Sequence, residues 1–139
     1  MFYTLRVRSG EREQMVDFTD EVRRRLKEEG ATDGICVLYV QHTTAGLTIN
    51  ENADKDVQRD MLHALRKLIP QYGMDFRHGE ENSDAHIKTS LVGTSVTVAF
   101  HDGELMLGRW QGVFLCEFDG PRDRQIIMTL LLVAASTEK

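Results

Sequence analysis

Apolar and polar residues alternate from the start of the chain, with Tyr3, Leu5 and Val7 set against Thr4, Arg6 and Arg8. That period of two predicts a strand with one buried face, and Gly10 ends it. Gln14 to Phe18 reads as a second, shorter strand. Thr19 is then placed to cap a helix over residues 20–29, with Asp20 and Glu21 in the first turn, where acids suit the helix dipole. Val22 and Leu26 fall four apart on it, and Gly30 closes it. The unbroken run Ile35, Cys36, Val37, Leu38, Tyr39, Val40 suits a buried strand, and Leu47 with Ile49 predicts another extended piece. Asp54 or Asn52 can cap a second helix whose stripe is Val57, Met61, Leu65 and Leu68, joined by Leu62 and Ile69; Pro70 stops it.

Residues 71–85 carry no apolar period, and so long a stretch inside one domain suggests a functional or ligand-ordered loop. A regular pattern resumes with H-I-K-T-S-L at 86–91. Val96, Val98 and Phe100 then alternate with Thr97 and Ala99 up to Asp102-Gly103, a pair expected in a tight hairpin turn, with Leu105 and Leu107 on the returning strand. Trp110 to Phe118 and Gln125 to Val133 are two further strands, separated by a turn at Gly120-Pro121. Two helices and many antiparallel strands without long crossovers make this an α+β chain, one domain over residues 1–139. Neither the dinucleotide glycine pattern nor a P-loop is present in the sequence.

Composition narrows the function classes. A hydrophobic fraction of 41% with 28% charged residues is that of an ordinary soluble globule rather than a disordered chain. The net charge of -5 argues against a nucleic-acid partner, which calls for a basic face. No apolar run approaches the ~20 residues of a membrane helix and the N-terminus lacks a signal-peptide core, so no membrane partner and a cytoplasmic location are expected. Cys36 and Cys116 sit in apolar runs, where thiols are usually buried hydrophobes rather than disulfide partners.

The candidate chemistry gathers around Gln41 to Asp54. His42 leaves the buried strand, followed by Thr43, Thr44, Asn50, Glu51 and Asn52. His78 and His86 bracket G-E-E-N-S-D-A, which contains Asn82, and a short loop can bring both to the same side of a sheet. Three neutral imidazoles meeting at one point would bind zinc or a similar divalent ion and leave a position open. Their spacing matches no standard zinc signature, and ordinary hydrogen-bonded histidines are the alternative. Glu51 and Asp84 are candidates to hold a histidine tautomer or to act as general base, Glu51 alternatively being a helix N-terminal acid. Lys88, Arg109, Arg122 and Arg124 would hold a phosphate if they converge. His63 and His101 read as solvent-facing, and Trp110 as core or subunit contact.

Three segments together closely resemble the signatures of the YjbQ family: Q-H-T-T-A-G-L-T-I-N-E-N-A-D at 41–54, R-H-G-E-E-N-S-D-A-H-I-K at 77–88 and L-G-R-W-Q-G-V-F-L-C-E-F-D-G-P-R at 107–122. The resemblance implies a small α+β homotrimer with a metal ion, expected to be zinc, on His42, His78 and His86. It also implies a thiamine-phosphate-synthase-like activity on small phosphorylated substrates, in a family whose physiological reaction is poorly defined. On that reading Lys88 and Arg122 contact phosphate, Thr43, Thr44, Asn50 and Asn82 line the substrate site, and Glu51 or Asp84 orients a group or a water. Metal-assisted hydrolysis and a non-catalytic metal- or anion-binding homotrimer are the alternatives. The sequence departs from the family pattern at Arg109, where a small polar residue is expected, and at Ser83, in place of alanine.

Overall fold

In the computed structural model, which describes residues 1–134, the expected alternation becomes two sheets packed face to face. The larger sheet has the order β1 (Phe2–Arg8), β8 (Asp123–Leu132), β3 (Gly34–Val40), β5 (Ser95–His101) and β6 (Glu104–Leu105), every pair antiparallel. The smaller runs β2 (Gln14–Asp17), β7 (Gln111–Glu117) and β4 (Ala45–Glu51), also antiparallel. Inward residues of both, among them Leu5, Cys36, Leu38, Met128, Leu47 and Leu115, form the main core with Phe18, Val22 and Leu26 at helix α1 (Thr19–Glu28). A second core lies on the other side of the smaller sheet. There Met15, Phe114, Cys116 and Phe118 meet Ala85 of helix α3 (Ser83–Val92) and Met61, Leu62 and Leu65 of helix α2 (Lys55–Leu68).

The architecture is α+β and mostly antiparallel, as expected, but with three helices rather than two. Helix α3 takes the end of the expected loop together with the H-I-K-T-S-L segment; the expected domain ran to Lys139, and residues 135–139 lie outside the described residues. Thr19 is the first residue of α1 and not its cap: its hydroxyl donates to Asp17 Oδ1 at 2.5 Å and accepts from the Val113 N–H at 2.9 Å. Asp54 caps α2 as expected, accepting from the Asp56 N–H at 2.9 Å. Leu68 leaves the expected stripe, lying 73% exposed where the helix ends, while Ile69 turns inward. Trp110 is exposed too, with the Arg109 guanidinium 4.8 Å from its ring centroid, so it fills no core. Both cysteines are free and buried, and burial pushes their thiols up to about 12.

Candidate functional site

The β3–β4 connection, the β7–β8 turn and the start of α3 meet around a polar cleft of about 340 Å³. His42, Thr43 and Thr44 come from the first of these, Asp119 and Arg122 from the second with Arg124 at the start of β8, and Asn82 and His86 from the third with Glu80 just before it. Beneath it, charges occupy positions where the strand pattern calls for apolar residues. Arg124 falls in phase with the buried Ile126, Met128 and Leu130 of β8. It reaches Glu117, donating from Nε to Oε1 at 2.9 Å and from Nη2 to Oε2. Ser9 Oγ donates to Glu117 Oε1 at 2.6 Å and the Asp119 N–H to Oε2 at 3.0 Å, so both carboxylate oxygens are shared among fixed donors. Burial raises the Glu117 pKa, but the bonds from Arg124, Ser9 and Asp119 outweigh it and hold the carboxyl below its ordinary value.

This ion pair positions the cleft. Arg124 Nη2 also donates to the Thr44 Oγ1 at 2.9 Å, which leaves the threonine hydroxyl hydrogen available for another acceptor. Arg122 donates to the Asp119 carbonyl at 2.7 Å and to its carboxylate at 3.2 Å, while its side chain stays half exposed. Asn82 is buried; its Nδ2 donates to Asp119 Oδ2 at 2.8 Å, and its Oδ1 has no partner among the described residues. Half-buried His42 accepts the Gln125 N–H on Nε2 at 2.9 Å. Desolvation, followed by the nearby Arg124 cation, lowers its pKa.

Thr43, Thr44, Asn82, Arg122, His42 and His86 therefore share one cleft. The other five expected site residues, His78 among them, are elsewhere. Glu51 and Asn50 lie at the end of β4 away from the His42 connection, with Glu51 about 20 Å along the strand from Ala45. Asp84 and Lys88 are fully buried in a separate ion cluster: Lys88 Nζ donates to Asp84 Oδ2 at 2.8 Å and to Glu13 Oε2 at 3.1 Å. Arg12 grips Asp84 with both terminal nitrogens at 3.2 and 3.0 Å. A lysine with two carboxylate partners and no exposed surface is not a phosphate contact, and Asp84 is not a general base. Arg109 stacks on Trp110 away from the cleft. A larger groove of about 560 Å³ between α1 and the β5–β6 turn is lined by Arg23, Arg24, Lys27, Asp102 and Glu104, all exposed and with no buried charge to fix a ligand.

Residues 3–132 match the family model described as UPF0047 protein YjbQ-like. The chain belongs to the YjbQ family. It is 47% identical over 131 residues to a UPF0047 protein of Methanocaldococcus jannaschii, covering 94% of both chains. It is 46% identical over 132 residues to the UPF0047 protein YugU of Bacillus subtilis, covering 94% of this chain and 99% of that one. The crystal structure of an uncharacterised YjbQ/UPF0047-family protein from Clostridium acetobutylicum matches with a TM-score of 0.89 and 45% identity, over 93% of this chain and 99% of that chain.

The metal ion that YjbQ resemblance implies can be tested against the donors present. Zinc held by three imidazoles needs their nitrogens about 3.3 Å apart. Among the described residues, the group of three histidine or acidic donors lying within 4.8 Å of one another is half-buried Asp33, just before β3, with exposed His101 and Asp102 at the β5–β6 turn, and not His42, His78 and His86. His78 stands edge-on to His86 with ring centroids 5.7 Å apart and opens onto neighbouring pockets, while His42 has already given its Nε2 lone pair to a strand. The three histidines as placed do not fit a zinc centre. Sequence reading missed Glu117, Ser9 and Asp119, though a charged residue inside L-C-E-F and another in phase with the β8 core were signals for a buried pair.

Proposed function

We propose that this cleft binds a small phosphorylated molecule and that the protein is an enzyme acting at the phosphate-bearing carbon or at the phosphate. A transfer of the thiamine-phosphate-synthase kind, in which pyrophosphate leaves, is the reaction class that the resemblance brings to it. The observation that carries the reading is the convergence of a neutral imidazole, a free threonine hydroxyl and a half-exposed guanidinium over a buried ion pair. Donors fixed in place by a rigid base stabilise developing negative charge without having to reorganise. Arg122 would take phosphate oxygens, Thr43 and Thr44 would donate to them, and His86 would move the proton. No step runs through a resident ion, because the histidines do not gather around one point. The protein would act in the cytoplasm; among the described residues no helix is long and apolar enough to cross a membrane.

The test is calorimetric titration with pyrophosphate alongside an assay of coupling between the pyrimidine diphosphate and the thiazole phosphate. Arg122→Ala is expected to weaken pyrophosphate binding about tenfold. His86→Gln is expected to lower turnover by about 100-fold or more with little change in binding. Wild-type protein that ignores pyrophosphate would remove this reading. One observation favours a second reading, a non-catalytic anion-binding homotrimer. Of the carboxylates at the cleft, Glu80 is exposed, and Asp119 is engaged with Arg122 and Asn82, so neither is held ready as a base. Tight binding without turnover would select it.

A further inference from the structure

We infer that His42 serves the cleft as a fixed hydrogen-bond donor through Nδ1, and neither as a base nor as a metal ligand. A backbone N–H can only donate, so the bond from Gln125 to His42 Nε2 at 2.9 Å requires a bare nitrogen there. A neutral imidazole has one hydrogen, which must then sit on Nδ1. The strand cannot easily yield. Gln125 is in register with Arg6 of β1, and its carbonyl accepts the Gln41 N–H at 3.2 Å, so the residue before His42 is tied to the same point of β8. Nδ1 has no protein partner among the described residues, and the ring lines the cleft, so its hydrogen is free for an acceptor bound there.

Metal on Nε2 would orphan the strand amide, and metal on Nδ1 would strip the ring of its one hydrogen. Donation to an anionic oxygen costs neither. The identity of that acceptor as a phosphate oxygen rests on the function proposed above; the tautomer does not.

The experiment is a long-range proton–nitrogen correlation spectrum of the full nitrogen-15-labelled chain at neutral pH, with His42 assigned by its loss in His42→Asn. The expected pattern has the hydrogen on Nδ1, is unchanged by added zinc, and moves at Nδ1 on addition of pyrophosphate. Two variants separate the nitrogens. Asparagine places an amide N–H near the Nδ1 position, whereas glutamine reaches the Nε2 position and keeps only the strand bond. Binding of pyrophosphate is expected to fall less in His42→Asn than in His42→Gln, which loses about tenfold. A hydrogen on Nε2, a zinc-dependent loss of the pattern, or full binding by His42→Gln would overturn the inference. The spectrum of wild-type protein decides the tautomer even if a variant fails to fold. An Nδ1 hydrogen in a protein that does not bind pyrophosphate would overturn the functional reading, and with it the acceptor assigned to this donor, while leaving the tautomer standing.

Discussion

Glu117 and Arg124 are a charged pair with almost no exposed surface, flanked by Ser9 and Thr44. Removing one partner strands the other, so Glu117→Gln should cost about 3–5 kcal/mol, read as a shift in the urea unfolding curve. The pH dependence follows from the same residues. Glu117 and Asp84 both titrate below their ordinary values when folded, because their cationic and hydrogen-bond partners outweigh the effect of burial. The unfolded chain therefore takes up their protons first. Their contribution is fully present above the ordinary carboxylate range, about 4, and is lost as pH falls through the lower folded values. Unfolding midpoints should hold level down to about pH 5 and then drop, less steeply in Glu117→Gln than in wild type. His42, Thr44 and Arg122, which line the cleft, could be picked out of the sequence because polar groups follow a buried strand or adjoin a Gly-Pro turn. The Glu51 and Asp84 assignments rested on nearness in sequence, which an extended strand in one case and a helix turned inward in the other undo.

Helix α3 is built inside out. Its buried residues are Asp84, Ala85, Lys88 and Thr89, while Ile87 and Leu91 are exposed. A helix whose inward face is an ion cluster shows no apolar period, which is why residues 83–85 read as loop, whereas α1 and α2, with apolar stripes, were found close to their true ends. Its far end sits tightly on β4: a Cβ on Gly46 would lie 2.6 Å from the Gly93 carbonyl oxygen, so only glycine permits that approach. The cluster around Lys88 fixes the inward face, with Asp84 on the same helix and Glu13, just before β2, as partners. Lys88→Met should take the ammonium from Asp84 and Glu13, which keep Arg12 and Arg66 as partners, and lower stability by about 1–3 kcal/mol in urea unfolding. Asn82 and His86 lie on or beside this helix, so pyrophosphate affinity should fall with it although Lys88 never touches the cleft. Unchanged stability in Lys88→Met would mean that the cluster does not set the position of α3.

Across the whole molecule the two sheets are covered unequally. The smaller has the main core on one face and α2 with α3 on the other, whereas the outward face of the larger has no helix packed over it among the described residues. Strand register gathers exposed apolar residues of that face into a band interrupted by threonines. Thr129 joins Phe2 to Val37, Ile127 joins Thr4 to Tyr39, and Leu131 lies beside Ile35. Phe2 is 74% exposed, and Ile35, Tyr39 and Leu131 are exposed with it, a grouping more typical of a subunit contact than of a free surface. The α+β class was readable from strand alternation, but this band was not, because the run Ile35 to Val40 is apolar at every position and reads as buried on both faces. If the chain assembles as the homotrimer that the YjbQ resemblance implies, this face is the one expected to pack against a second copy. Light scattering should then give about three times the 15.9 kDa chain mass, and Ile35→Glu combined with Tyr39→Glu should reduce it to one chain while the circular dichroism of the fold is kept. A double variant that remains trimeric would move the interface elsewhere, with the outward Ile87 and Leu91 of α3 next to be replaced.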